Sequence, residues 1–152
     1  MIVKETKKIR NFIGRLDRKD KLPAAFVKLC KKHNIKAGVI SAIGALESVA
    51  LGEYDQSKMK YVEPIKLDRA SEIITLLGNI SQKDGEPFVH LHLSVAYEVK
   101  GAGDERQTQI LAGHLFDATV FACEFHIAAF DDVKLNRAVE PQTGLSLWME
   151  PA

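Results

Sequence analysis

Cysteine is scarce: the 152 residues contain only Cys30 and Cys123. Two thiols cannot form a disulfide framework, and they leave no Cys₂His₂ or Cys₄ zinc spacing. One lies in an amphipathic stretch and the other in an apolar one, so both are predicted to be buried free thiols. No apolar run approaches the ~20 residues that a membrane-spanning helix needs. The opening residues, MIVKETKKIR, put charges where a signal peptide carries its apolar core. A cytoplasmic chain with no membrane partner is expected. There is no GxxxxGK[ST] loop, no G-x-S-x-G elbow, no helix-turn-helix and no basic, aromatic-rich RNA-binding strand, which removes the common phosphate-loop, serine-hydrolase and nucleic-acid modules.

Net charge is also nearly absent, at +1, but the balance hides an asymmetry. Residues 1–36 hold twelve Lys/Arg against three Asp/Glu, and the remainder holds nine against seventeen. A basic segment of this kind attracts phosphates. Lys4, Lys7, Lys8, Arg10 and Arg15 are the candidate contacts to an anion or nucleic acid. The alternative is a solvated face and an edge strand blunted by lysine.

What the chain does have is apolar patterning, with 46% of residues hydrophobic. "DKLPAAFVKLCKKHN" is the clearest helix. Asp20 is expected to cap it, Pro23 to sit in its first turn, and Asn34 to close it in the left-handed conformation. Leu22, Ala25, Phe26, Leu29, Cys30 and His33 follow the i, i+3, i+4 spacing of one buried face. "IVKETKKIRNFIGRL", "KAGVISAIG", "LESVALGEYD", "SEIITLLGNIS", "FVHLHLSVAYEV", "TQILAGHL" and "ATVFACEFHIAAF" read as strands. "MKYVEPIKL" is a weaker one, confined to an edge by Pro64. A short second helix is expected near "DRASE" or "KLNRAV". No repeat, linker or low-complexity tract divides the chain. One compact α+β domain over 1–152 is therefore expected, with a mostly antiparallel β-sheet, one main α-helix and one or two short helices.

The chemistry concentrates in "FVHLHLS". Side chains alternate along a strand, so Val89, Leu91, Leu93 and Val95 share one face and His90, His92, Ser94 and Ala96 the other. Two imidazoles rooted roughly 7 Å apart can lean onto one ion. If residues 88–99 and 107–116 pair across the "KGAGDER" hairpin, His114 returns beside them. Gly113, just before it, fits a bulge or a close backbone approach. Three neutral histidines with one open position is the pattern of a catalytic zinc site, although imidazole also suits nickel, copper and iron. The competing reading is a polar surface pair. Glu124 and Asp117 are the candidate catalytic or supporting carboxylates. Glu124 and His126 share a strand face and can equally form an ion pair. His33 is explained by the helix terminus.

"RLDRKDKLPAAFVKLCKKHNIKAGVISAIGALESVALGEYD", "SEIITLLGNISQKDGEPFVHLHLSV" and "AGHLFDATVFACEF", in that order, resemble the plants-and-prokaryotes-conserved (PPC) domain, over about Arg15 to Leu147. The resemblance implies an α+β fold whose sheet supports a homotrimer. Plant members carry a separate AT-hook with an Arg-Gly-Arg-Pro core that enters the minor groove, and this sequence has none. The family's description as DNA-binding therefore transfers poorly. Plant members also tend to lose the histidines kept here as His90, His92 and His114. Two functions follow as expectations. One is a homotrimeric DNA-binding or regulatory assembly protein carrying a three-histidine metal site. The other is a zinc-dependent hydrolase or lyase acting on a small molecule. The expected cofactor is a divalent metal, zinc first, which could alternatively stabilise the trimer. The expected partners are further copies of the chain and, weakly, nucleic acid.

Overall fold

The computed structural model describes residues 1–150. The expected domain, 1–152, reaches two residues beyond that range. The order is β1 (Ile9–Leu16), β2 (Lys21–Leu22), α1 (Ala24–His33), β3 (Gly38–Gly52), β4 (Tyr54–Asp55), β5 (Lys60–Tyr61), β6 (Ile65–Leu67), β7 (Ser71–Lys83), β8 (Glu86–Lys100), β9 (Arg106–Phe130), β10 (Asn136–Val139) and β11 (Ser146–Met149). This is the expected α+β class with a mainly antiparallel sheet.

The path of the main sheet is β11-β10-β7-β8-β9-β3-β6, and β3 also pairs with β7. The four long strands β7, β8, β9 and β3 therefore close on themselves like a small barrel. Closure is possible because β9 changes partner along its length. Residues up to His114 pair with β8, and residues from His114 onward pair with β3. Register shifts near Ala45, Leu46 and Ala50 on β3 let the pair bend without a turn. The sequence pattern predicts separate strands in "TQILAGHL" and "ATVFACEFHIAAF"; the backbone runs through both as one strand.

Alternation in β8 is as expected: Val89, Leu91, Leu93 and Val95 are buried, while the intervening side chains face outward. α1 packs on β8 and β2, with Phe26 and Cys30 fully buried and Phe26 edge-on to Phe125 at 5.4 Å. Asn34 closes the helix at φ 51, as expected. Asp20 does not cap it. Pro23 occupies the cap position without a side-chain bond, and an Asp20 oxygen instead accepts from the backbone N–H of Asp17. His33 is exposed rather than on the buried face, and it stacks on Phe12. "KLNRAV" is not a helix: it holds β10, which runs parallel to β7. Among the described residues the one short helical turn, Ala102–Asp104, lies in the β8–β9 hairpin. β6 pairs only with β3, as an edge strand following Pro64 should. Both cysteines are buried and free, and burial pushes each thiol up to about 11.

Candidate metal centre

His90 and His92 stand two apart on β8, so both project from its outward face. His92 lies directly opposite His114 on β9. Gly113 permits this placement, because a Cβ there would meet the Gly52 carbonyl oxygen at 2.6 Å. Only glycine lets β9 pass that close to β3 as it leaves β8.

The three rings converge. Their centroids are 4.9 Å apart for His90–His114, 5.0 Å for His90–His92 and 5.6 Å for His92–His114. A hydrogen bond of 3.0 Å links His90 Nε2 and His114 Nδ1. One ring nitrogen from each residue lies within 4.8 Å of the other two. Tetrahedral ligation at about 2.0–2.1 Å sets ligand atoms roughly 3.4 Å apart. The present spacing is thus at most about 1.4 Å wider than one tetrahedral ion requires.

The surroundings favour neutral, ligating imidazoles. His90 is pushed down to about 4, first by burial and then by the positive charge of His114, Arg137 and His92. His114 is also lowered, by burial and by His92. Tyr61 stacks on the His114 ring at 4.8 Å and Phe116 meets it edge-on at 5.1 Å, which fixes its orientation. Among the described residues, His90, His92 and His114 are the one group of His, Cys, Asp or Glu side chains close enough together to hold a metal. A set of three imidazoles without carboxylate or thiolate fits a borderline ion such as zinc and leaves a coordination position free.

Neither candidate carboxylate joins the triad. Asp117 is exposed and pairs with Lys21 at 3.9 Å. Glu124 sits ten residues beyond His114 on β9, opposite Ile43 and Arg15, on a shallow apolar cleft with Leu77. His126 bonds Asn11 at 2.9 Å rather than Glu124. The basic N-terminal third is largely paired within the fold. Lys4 reaches Glu150 at 3.2 Å, Lys7 reaches Glu5 at 3.5 Å, and Arg15 reaches Asp17 at 3.2 Å. Arg10 holds both oxygens of Asp131. Arg18 and Lys19 share Glu47. Lys8 contributes backbone to Asp132 and Asp131, and its charge helps lower the pKa of the Asp131 carboxyl.

Sequence reasoning missed Arg137. Its side chain is 9% exposed, and it lines the same cavity as His90. The residue sits in a stretch that looked helical, and no motif marks it.

No curated protein matches the chain. A metal-containing protein from Archaeoglobus fulgidus is similar in structure, with a TM-score of 0.87 and 38% identity over 99% of this chain and 100% of that one. A plant- and prokaryote-conserved protein from Pyrococcus horikoshii gives a TM-score of 0.84 and 30% identity, covering 100% and 99% of the two chains. A protein from Bacteroides thetaiotaomicron, whose name proposes DNA binding, gives 0.77 and 26%, covering 95% and 96%. The family profile of the Plants and Prokaryotes Conserved domain matches residues 3–131, and the chain belongs to that family.

Proposed function

We propose that the chain is a homotrimeric metal-binding protein in which His90, His92 and His114 hold one divalent ion, zinc first, for hydrolase- or lyase-type chemistry on a small molecule. One observation carries this reading: imidazole nitrogens from half-buried His90 and His114 and exposed His92, on two paired strands, lie within 4.8 Å of one another, with no fourth protein ligand among the described residues. An ion held this way supplies Lewis acidity and lowers the pKa of a coordinated water toward ~7. The chain's own contribution is to favour the neutral form of His90 and His114 through burial and to hold His114 in place through Tyr61 and Phe116. The metal content of the Archaeoglobus relative supports the reading.

Trimer formation is supported by an apolar outer face. Ile13 (84% exposed), Ile43 (60%) and Leu77 (57%) lie on β1, β3 and β7 of the main sheet. Ile13 is opposite His126, His126 opposite Ser41, and Ser41 opposite Leu77, so this row shares one face. Leu77 is in turn opposite His92, which sets the metal centre at the margin of that face. Closing symmetric copies over such a surface removes it from water.

Substitution of Co²⁺ tests the centre. The expected spectrum has the intense visible bands of a four-coordinate ion with nitrogen donors, absent from a His92→Ala variant. A weak six-coordinate spectrum, unchanged by that substitution, would contradict the reading.

DNA binding is the second reading, favoured by the name of the Bacteroides relative. Lys4, Lys7, Lys8, Arg10 and Arg15 would supply the contacts, and the ion pairs in which most of them sit reduce that supply. The reading requires duplex binding that weakens steeply with salt and is lost when Lys4, Lys7, Lys8 and Arg10 are neutralised. Affinity unaffected by either change would end it.

A further inference from the structure

Arg137 is buried on β10 in a setting that leaves its charge unmatched. Its Nε donates to Ser81 Oγ at 2.7 Å, Nη1 to the Ser146 carbonyl at 2.5 Å, and Nη2 to Asn79 Oδ1 at 2.8 Å. All three acceptors are neutral. The guanidinium also lies over the Phe88 ring, 4.9 Å from its centre. Among the described residues no carboxylate pairs with it. A guanidinium has five N–H donors, so one on each terminal nitrogen remains uncommitted. Burial lowers the pKa of Arg137, as expected for a cation held without a counter-charge.

The residue borders a shallow, solvent-open cavity of about 540 Å³ that it shares with Asn79, His90, Ile2, Leu147 and Trp148. That size suits a small molecule. Glu140 also borders the cavity, but its oxygens are committed to the Gln142 and Thr143 N–H groups and the Thr143 hydroxyl. Three neutral imidazoles do nothing to offset a divalent ion. A divalent ion, Arg137 and the Glu140 carboxylate together give the region a formal charge of about +2, and Glu140 bonds only to neutral donors and not to the guanidinium.

We propose that this cavity binds a small carboxylic acid with an apolar tail, its carboxylate shared between the free N–H pair of Arg137 and the ion of the histidine triad. The inference rests on the triad being a metal site. Arginine's planar fork matches two carboxylate oxygens. Ile2, Leu147 and Trp148 suit an aliphatic or aromatic body. The Glu140 carboxylate at the border repels a phosphate dianion more than a monoanion, and the apolar lining suits a tail that phosphate lacks.

Trp148 is the single tryptophan of the chain, so its fluorescence reports occupancy directly. Zinc-loaded protein is titrated with hexanoate, with hexanol as the uncharged control and inorganic phosphate as the competing anion. Hexanoate is expected to change Trp148 emission saturably, hexanol to have no effect, and Arg137→Met to weaken hexanoate by at least about tenfold while zinc still binds. Arg137→Lys keeps the charge without the fork and is expected to weaken binding by a similar factor, which preserves the test if the methionine variant fails to fold. Equal hexanoate affinity in wild type and either variant overturns the proposal. So does phosphate binding more tightly than hexanoate. A protein that takes up no zinc, yet binds hexanoate through Arg137, would instead count against the triad as a metal site.

Discussion

His90 Nε2 and His114 Nδ1 face each other at 3.0 Å, although the residues are 24 apart in sequence and on different strands. His92 stands opposite His114 in the ladder. The triad is therefore held by backbone pairing, and its integrity depends on the β8–β9 register.

Gly113→Ala tests that dependence. A methyl group at residue 113 would meet the Gly52 carbonyl oxygen at 2.6 Å, and backbone on both sides cannot simply rotate away. A loss of about 1–3 kcal/mol in denaturant unfolding is expected, of the size seen for overpacking. Zinc affinity should fall as His114 is displaced. Unchanged stability and unchanged zinc binding would show that β9 does not need this close approach.

Metal-free protein should become less stable as pH falls below the ordinary histidine range. The folded protein holds His90 at about 4, whereas the unfolded chain takes up this proton near 6.5. Between those values the unfolded state binds more protons, so acid favours unfolding. The contribution is full above about 6.5, declines through the window and is gone below about 4. Chemical unfolding from pH 7.5 to 4, compared with His90→Leu, checks it. The variant should have the flatter profile.

Self-association should depend on the apolar face and not on the ion. Leu77→Glu places a charge in the middle of the exposed row and is expected to convert trimer to monomer in sedimentation. Chelation of the wild type should leave the trimer intact. A trimer that dissociates on chelation would instead make the ion an assembly element.

Phe26 is fully buried against Phe125 beneath the sheet. Phe26→Ala should cost about 3–5 kcal/mol of stability, the range for a large core aromatic. Zinc binding per folded molecule should be unchanged, because the triad stands on the opposite face of β8. Thermal unfolding with and without zinc separates the two effects.

The triad was legible in the sequence because its logic is local. Period-2 alternation puts His90 and His92 on one face, and a glycine-rich hairpin of predictable length returns His114. α1 was legible for the same reason, through its 3.6-residue pattern and Asn34. Features built from distant pairings were not. Arg137 reaches the site because β10 runs parallel to β7, with Asn136 opposite Gln82, and nothing within "KLNRAV" announces that. The basic N-terminal segment looked like an anion-binding surface because its partners Asp131, Glu150 and Glu47 are far away in the chain. Asp20 looked like a helix cap, but the loop before α1 turned it toward Asp17 instead.

Metal content measured directly on tag-free protein bears most closely on the central claim. Protein loaded with zinc and freed of excess should carry close to one ion per chain by elemental analysis, and a His90→Ala/His114→Ala double variant that remains folded should carry almost none. Substoichiometric zinc in the wild type, or equal zinc in the double variant, would contradict the account.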